Sequence, residues 1–315
     1  MTRMMTSAIA VLGMVLMATG ARAADWTPPG PIKLIIAFAA GGGVDTQARM
    51  IAEELEAAKG WKIIPEQVTG KGGLNAVKAL QGEAKDGTAI AMIVTESLGY
   101  NLRAANAGDP GIATAITTTA GSQMAVVAPT SKGYKTLADV IAAAKGGEEI
   151  RFGVMSPALA DLAYVIGKEN DVEFNVISVR GGRAVMNGLT AGDMDVGFGA
   201  GIQAKAVAAG DMVELASAMS RPLAATPDAP LLTDFGVNFA NDTMFMIAGP
   251  GGMDPAARDA IAAAIAEVLS AEGSKAGGFI NKAFGGLDLR TGADLEAIIA
   301  GAYESAGGLL EASAQ

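Results

Sequence analysis

PIKLIIAFAAGGGVDTQAR, residues 31–49, decides how this chain is read. The first seven residues, PIKLIIA, have the continuous apolar character of a strand buried on both faces. VDTQAR opens a helix-periodic stretch, and three glycines lie between the two. Glycine is a costly residue unless the backbone must turn tightly or something must come very close to it. A strand–glycine–helix junction lies at the carboxyl end of a strand, where α/β sheets bind ligands. Gly41, Gly42 and Gly43 can turn successive N–H groups into one concavity. A small carboxylate is expected to approach Phe38, Ala39 and these glycines. Asp45 stands where a helix cap or first-turn acid is expected, with Arg49 four residues on; it either caps the helix and pairs with Arg49 or belongs to the ligand site.

Composition removes many chemistries. The 315 residues include no cysteine and no histidine. A lipid-modified cysteine, disulfides, thiolate catalysis, Ser-His-Asp triads and HExxH zinc sites are therefore excluded. No metal or cofactor is expected. The first 24 residues, MTRMMTSAIAVLGMVLMATGARAA, read as a secretory leader: Arg3, an apolar core of about a dozen residues, and ARA at 21–23. That core is short of the ~20 residues of a membrane-spanning helix. Cleavage near Ala23 and a periplasmic mature protein are expected. Loss of Arg3 and Arg22 takes the net charge from −10 to −12. Such a surface repels nucleic acid and anionic lipid. An anionic ligand must then be held locally, and helix N-termini do this without net positive charge.

Short apolar runs alternate with helix-length segments along the rest of the chain. Strands are expected at 33–38, 62–64, 89–94, 115–118, 124–128, 151–155, 174–179, 195–199, 213–218 and 244–248. Helices are expected at 45–59, 74–84, 137–145, 157–170, 183–190, 203–209, 255–270, 275–284 and 293–312. This rhythm predicts α/β layers with mostly parallel sheets. MAVVAPTSKGYKTLADV (124–140) and the proline-rich RPLAATPDAPLLTDFGVNFAN (221–241) border an inserted unit. One discontinuous lobe, 24–127 with 244–315, and a second lobe, 128–243, are expected.

EQVTGKGGLNAVKAL (66–80) repeats the strand–glycine–helix plan, with Thr69, Gly70, Lys71 and Gly72 in its loop. The dinucleotide fingerprint fails, because Gly41 and Gly43 are followed by Thr46 where the third glycine belongs. The phosphate loop fails too, because Gly72 follows Lys71. TESLG (95–99) has Thr95 where a nucleophile elbow needs glycine. Binding is thus favoured over catalysis.

These segments resemble the receptors of tripartite tricarboxylate transporters, the TctC or Bug family. PIKLIIAFAAGGGVDTQAR resembles their P-I-[KR]-L-I-V-P-[FY]-x-P-G-G-G-x-D-x-x-A-R, and EQVTGKGG their E-N-R-P-G-A-G-G. AKDGTAI, VISVRGG, LTAGDMDVGFG and RPLAATPDAPLLTDFG follow in the family's order, so the resemblance runs over 31–250. It implies a type II-like periplasmic binding protein with two α/β lobes around a ligand cleft. It further implies closure on a small organic acid and delivery to the large and small membrane subunits of a transporter. It places a carboxylate anchor, partly water-mediated, at 39–45 and 69–73. The chain departs from the family pattern at Ala40, where proline is usual, at Lys71, where alanine is usual, and at Asp161, where histidine is common.

Side chains beyond the loops have two readings each. Lys71 contacts the ligand or is a solvated lysine. Arg180 engages a second carboxylate or forms a salt bridge. Ser156 caps a helix, meets the ligand, or does both. Thr95 and Ser97 are hydroxyl candidates, and Phe38 walls the cleft or packs in the core. Glu96 repels an anion unless it points away or meets an ammonium group. Together Lys71 and Arg180 favour a ligand with more than one carboxylate, or with a further acceptor group. A monomeric, non-enzymatic binding protein is expected. The rival readings are a sensory partner of a membrane kinase and an exported enzyme using carboxylate or lysine chemistry.

Overall fold

A computed structural model describes residues 26–314. The leader expected at 1–23 lies outside the described residues. The chain builds β1 (Ile32–Ile36), α1 (Gly43–Lys59), β2 (Ile63–Gln67), α2 (Leu74–Leu80) and β3 (Ala89–Val94) in turn. Two short helices, α3 (Thr95–Leu98) and α4 (Tyr100–Ala104), precede β4 (Ala113–Gly121). Three residues later the chain is in β5 (Ala125–Pro129) of another sheet. There follow α5 (Leu137–Lys145), β6 (Arg151–Val154), α6 (Pro157–Glu169), β7 (Asn175–Ser178), α7 (Gly182–Ala191), β8 (Val196–Gly199), α8 (Ala204–Ala208) and β9 (Met212–Ser217). A long irregular segment then returns to the first sheet through β10 (Met244–Pro250), and α9 (Pro255–Ser270), α10 (Lys275–Phe284) and α11 (Gly292–Ser313) close the chain.

The two five-stranded sheets share one plan. Their orders are β2-β1-β3-β10-β4 and β7-β6-β8-β5-β9. Within each, one strand runs against the other four: β10 is antiparallel to β3 and β4, and β5 to β8 and β9. The sheets are therefore mixed, and the reason is connectivity. Each reversed strand is the one by which the chain enters from the opposite lobe.

Helices cover both faces of the first sheet, and this accounts for its uninterrupted apolar strands. Ile90, Met92 and Val94 of β3 join one core with Ile32, Leu34 and Ile36, under α1 and α9. Ala89, Ala91 and Ile93 join Ile35 in a second core, under α2 and the start of α11. The second lobe has one core around Phe152, Phe174 and Phe198. Helix starts follow local chemistry. Asp139 accepts the Thr136 N–H at 2.9 Å at the start of α5, and Ser156 caps α6 ahead of Pro157.

Candidate functional site

The three glycines of the first loop have three different causes. Gly41 has φ +73°, open to glycine without steric cost. Gly42 turns back so that its N–H donates to the Ala39 carbonyl at 3.3 Å. Gly43 lies under aromatic rings: a Cβ there would come within 3.0 Å of Phe284 Cζ. Asp45 is buried and holds the loop from inside. It accepts the Gly41 N–H at 2.9 Å, the Arg49 guanidinium at 2.8 Å and the Gln67 side-chain amide at 3.2 Å. With Gly41 and Gly42 committed, the N–H groups of Gly43 and Val44 at the start of α1 have no partner among the described residues.

The second loop is more contorted. Gly70, Lys71, Gly72 and Gly73 all have positive φ, at +117°, +51°, +60° and +92°. Lys71 is the one residue here with a side chain to strain, and that side chain is exposed. Ser97 and Asn101 pin the turn from below, donating to the Gly72 carbonyl at 2.8 and 3.1 Å. Asn75 holds the Thr69 carbonyl at 2.9 Å. Ser97 is wholly buried, because α3 turns it inward.

Between the lobes the chain makes direct contact. Ala39 N–H donates to the Arg180 carbonyl at 3.0 Å, and Arg183 Nε donates to the Gly41 carbonyl at 3.1 Å. Beneath these contacts is a cavity of about 50 Å³. Phe38, Gly42, Gly43, Val44, Val94 and Phe245 line it from the first lobe, and Met155, Ser156, Leu159, Gly182 and Ile202 from the second. Ser122, in the crossing from β4 to β5, closes its base with Glu96 and Thr243. Ser156 both caps α6, accepting Leu159 N–H at 3.3 Å, and faces this cavity. A second space of about 410 Å³ lies beyond Glu96 and Thr243, against Tyr100, Asn241 and α11.

Of the residues expected at the site, Phe38, Gly42, Gly43 and Ser156 share the interlobe cavity. Ala39 and Gly41 meet the second lobe at its mouth, and Arg180 joins them through its backbone carbonyl. Thr95 accepts the Met244 N–H at 3.0 Å and lines the larger space instead. Asp45, Thr69, Gly70, Lys71, Gly72 and Ser97 form and brace the loops and line neither space. Ser122, Thr243 and Arg183 were not foreseen. RGGRAV signalled a second arginine at a helix start, but Ser122 and Thr243 sit in lobe crossings with no sequence pattern.

Two α/β lobes joined by two crossings, with a cavity between glycine-rich loops and a facing helix start, define the periplasmic binding protein class. Residues 47–273 match the model of the tripartite tricarboxylate transporter family receptor, and the chain belongs to that family. It is 27% identical over 255 residues to the "UPF0065 protein in gbd 5'region" of Cupriavidus necator, spanning 79% of this chain and 77% of that one. Among solved structures it is similar to R. palustris Rpa4515 with adipate, at TM-score 0.79 and 18% identity over 92% of this chain and 98% of that one. MatC from Rhodopseudomonas palustris with bound malate superposes at TM-score 0.76 and 17% identity, over 91% and 100%. At these identities the structural likeness concerns the fold.

Proposed function

We propose that this receptor captures a small organic carboxylate between its lobes in the periplasm and delivers it to the large and small membrane subunits of a tripartite tricarboxylate-type transporter. The observation that carries the reading is the start of α1. Two unpartnered N–H groups, on Gly43 and Val44, stand at the positive end of a 17-residue helix whose first residues line the interlobe cavity. The positive-φ turn at Gly70, Lys71 and Gly72 is the second glycine-rich loop of the same lobe. Family membership supports a binding role over catalysis, and the adipate and malate neighbours support the ligand class.

In this reading residues 24–127 with 244–315 move against 128–243, export follows leader cleavage near Ala23, and the mature receptor acts as a monomer. The lobes part for entry and close on the bound acid. Thermal unfolding of ligand-stripped protein with a panel of organic acids tests the proposal. An acid at 100 times its Kd stabilises the fold by about 2.7 kcal/mol, a shift of several degrees. Recovery of the acid unchanged supports a receptor; turnover of the acid, or no shift with any carboxylate, contradicts it.

A further inference from the structure

The interlobe cavity carries more information about the ligand than its anchoring end. We infer, resting on the carboxylate reading above, that the receptor is built for a single carboxylate on an uncharged, apolar body, with Ser122 as a ligand-binding residue.

Three observations carry this. Ser122 is 1% exposed and lines the cavity, and its buried hydroxyl has no hydrogen-bond partner among the described residues. A buried hydroxyl left unpaired is costly, so it points to a group that meets it. Gly43 and Val44, with their free N–H groups, line the same cavity, so these groups and the Ser122 hydroxyl together offer donors for the oxygens of one carboxylate. Next, apart from Ser156, Thr243 and Glu96, the remaining wall is mainly hydrocarbon: Phe38, Val94, Met155, Leu159, Ile202 and Phe245. No lysine or arginine is among the lining residues. Lys71 and Arg180, the cations expected to meet a second carboxylate, lie outside the cavity, and Arg183 Nε is engaged by the Gly41 carbonyl at its mouth. Lastly, Glu96 is itself buried at the base. Its oxygens accept only from neutral amides, Asn101 at 2.9 Å and Asn241 at 2.6 Å, and no ion pair reaches it among the described residues. Its uncompensated charge disfavours a second anion in the same poorly solvated space.

The test is calorimetric titration of the stripped, full receptor with hexanoate, adipate and monomethyl adipate, and with benzoate, malate and citrate. Hexanoate and adipate share a six-carbon chain and differ by one carboxylate, and the ester removes that charge while keeping adipate's length. The expected result is that hexanoate and monomethyl adipate bind at least about tenfold more tightly than adipate. Ser122→Ala is expected to weaken hexanoate by about three- to tenfold without changing unliganded unfolding. Glu96→Gln is expected to raise adipate affinity several-fold and leave hexanoate within about twofold; Asn241 can turn its unpartnered carbonyl oxygen to the new amide. Adipate, malate or citrate binding as tightly as the best monocarboxylate overturns the inference and leaves the carboxylate receptor standing. A monomethyl ester as weak as adipate, or a Glu96→Gln receptor that still rejects adipate, overturns the charge argument. Binding of none of the acids removes both this inference and the proposed function.

Discussion

Gly72 shows how closely single residues are set in this receptor. Its φ of +60° is left-handed, and a Cβ would fall 2.2 Å from Asn101 Nδ2. Gly72→Ala is expected to cost about 2–3 kcal/mol in denaturant unfolding, combining backbone strain with overpacking. Gly133 is the control: its φ is +78° but open space surrounds it, so Gly133→Ala is expected to cost only about 1 kcal/mol. Asp195 is a different case. Burial alone would raise its carboxyl, but hydrogen bonds from Arg151 and Lys132 outweigh this and hold it well below the usual carboxylate range. A depressed carboxyl contributes stability that is present above its unfolded pKa and lost as pH falls through the folded one. The contribution is thus complete at neutral pH and lost only below about pH 4. Asp195→Asn is expected to destabilise by about 2 kcal/mol at pH 7, the cations being partly exposed, and to flatten the acid limb of a stability–pH profile. In the sequence the glycines and the Asp45–Arg49 pair were legible because their chemistry is local. Ser122 was not, since its importance arises only where two lobes meet.

Elements were legible to the extent that their patterns were continuous. The ten expected strands and nine expected helices all appear where apolar runs and periodicity place them. The two helices at 95–104 were missed: each is a single turn or slightly more, and Gly99 breaks them apart with φ −85° and ψ −105°. That omission concealed the role of Ser97, which as a loop residue reads as a free hydroxyl but on α3 braces Gly72. Helix α6 permits a test at this scale. Ser156→Ala removes the cap on Leu159 N–H and is expected to cost about 1 kcal/mol in unfolding. Because Ser156 also faces the cavity, an affinity change beyond that stability loss, read by titration, reports ligand contact.

Across the whole molecule, α11 ties the lobes together. Leu295 and Ile299 are buried in the first lobe, Ala306 meets Tyr100 and Ala158, and Leu309 and Ala312 rest on the second lobe's core. The C-terminal helix thus reaches both lobes rather than only the first. Tyr100 and Asp161 add a hydrogen bond across the same boundary. Burial, then the Asp161 carboxylate, pushes the phenol well above its ordinary value, so it remains a donor throughout the neutral range. Asp161 therefore serves the lobe boundary in this chain. Tyr100→Phe leaves that carboxylate without its donor and is expected to shift the ligand-free receptor towards an open form, seen as a larger radius of gyration in solution scattering. Pairing between lobes was the least legible property, because it depends on distances that no local pattern encodes.

Helix α1 and its glycine loop are proposed to hold a carboxylate. The measurement that tests this most directly is calorimetric titration of the stripped receptor with its best-binding acid and with the uncharged amide of the same chain. The amide matches the acid in size and apolar surface but lacks the charge that the α1 N-terminus recognises. Clear binding of the acid and at least about 100-fold weaker binding of the amide are expected. An amide that binds as tightly as the acid would contradict the proposal.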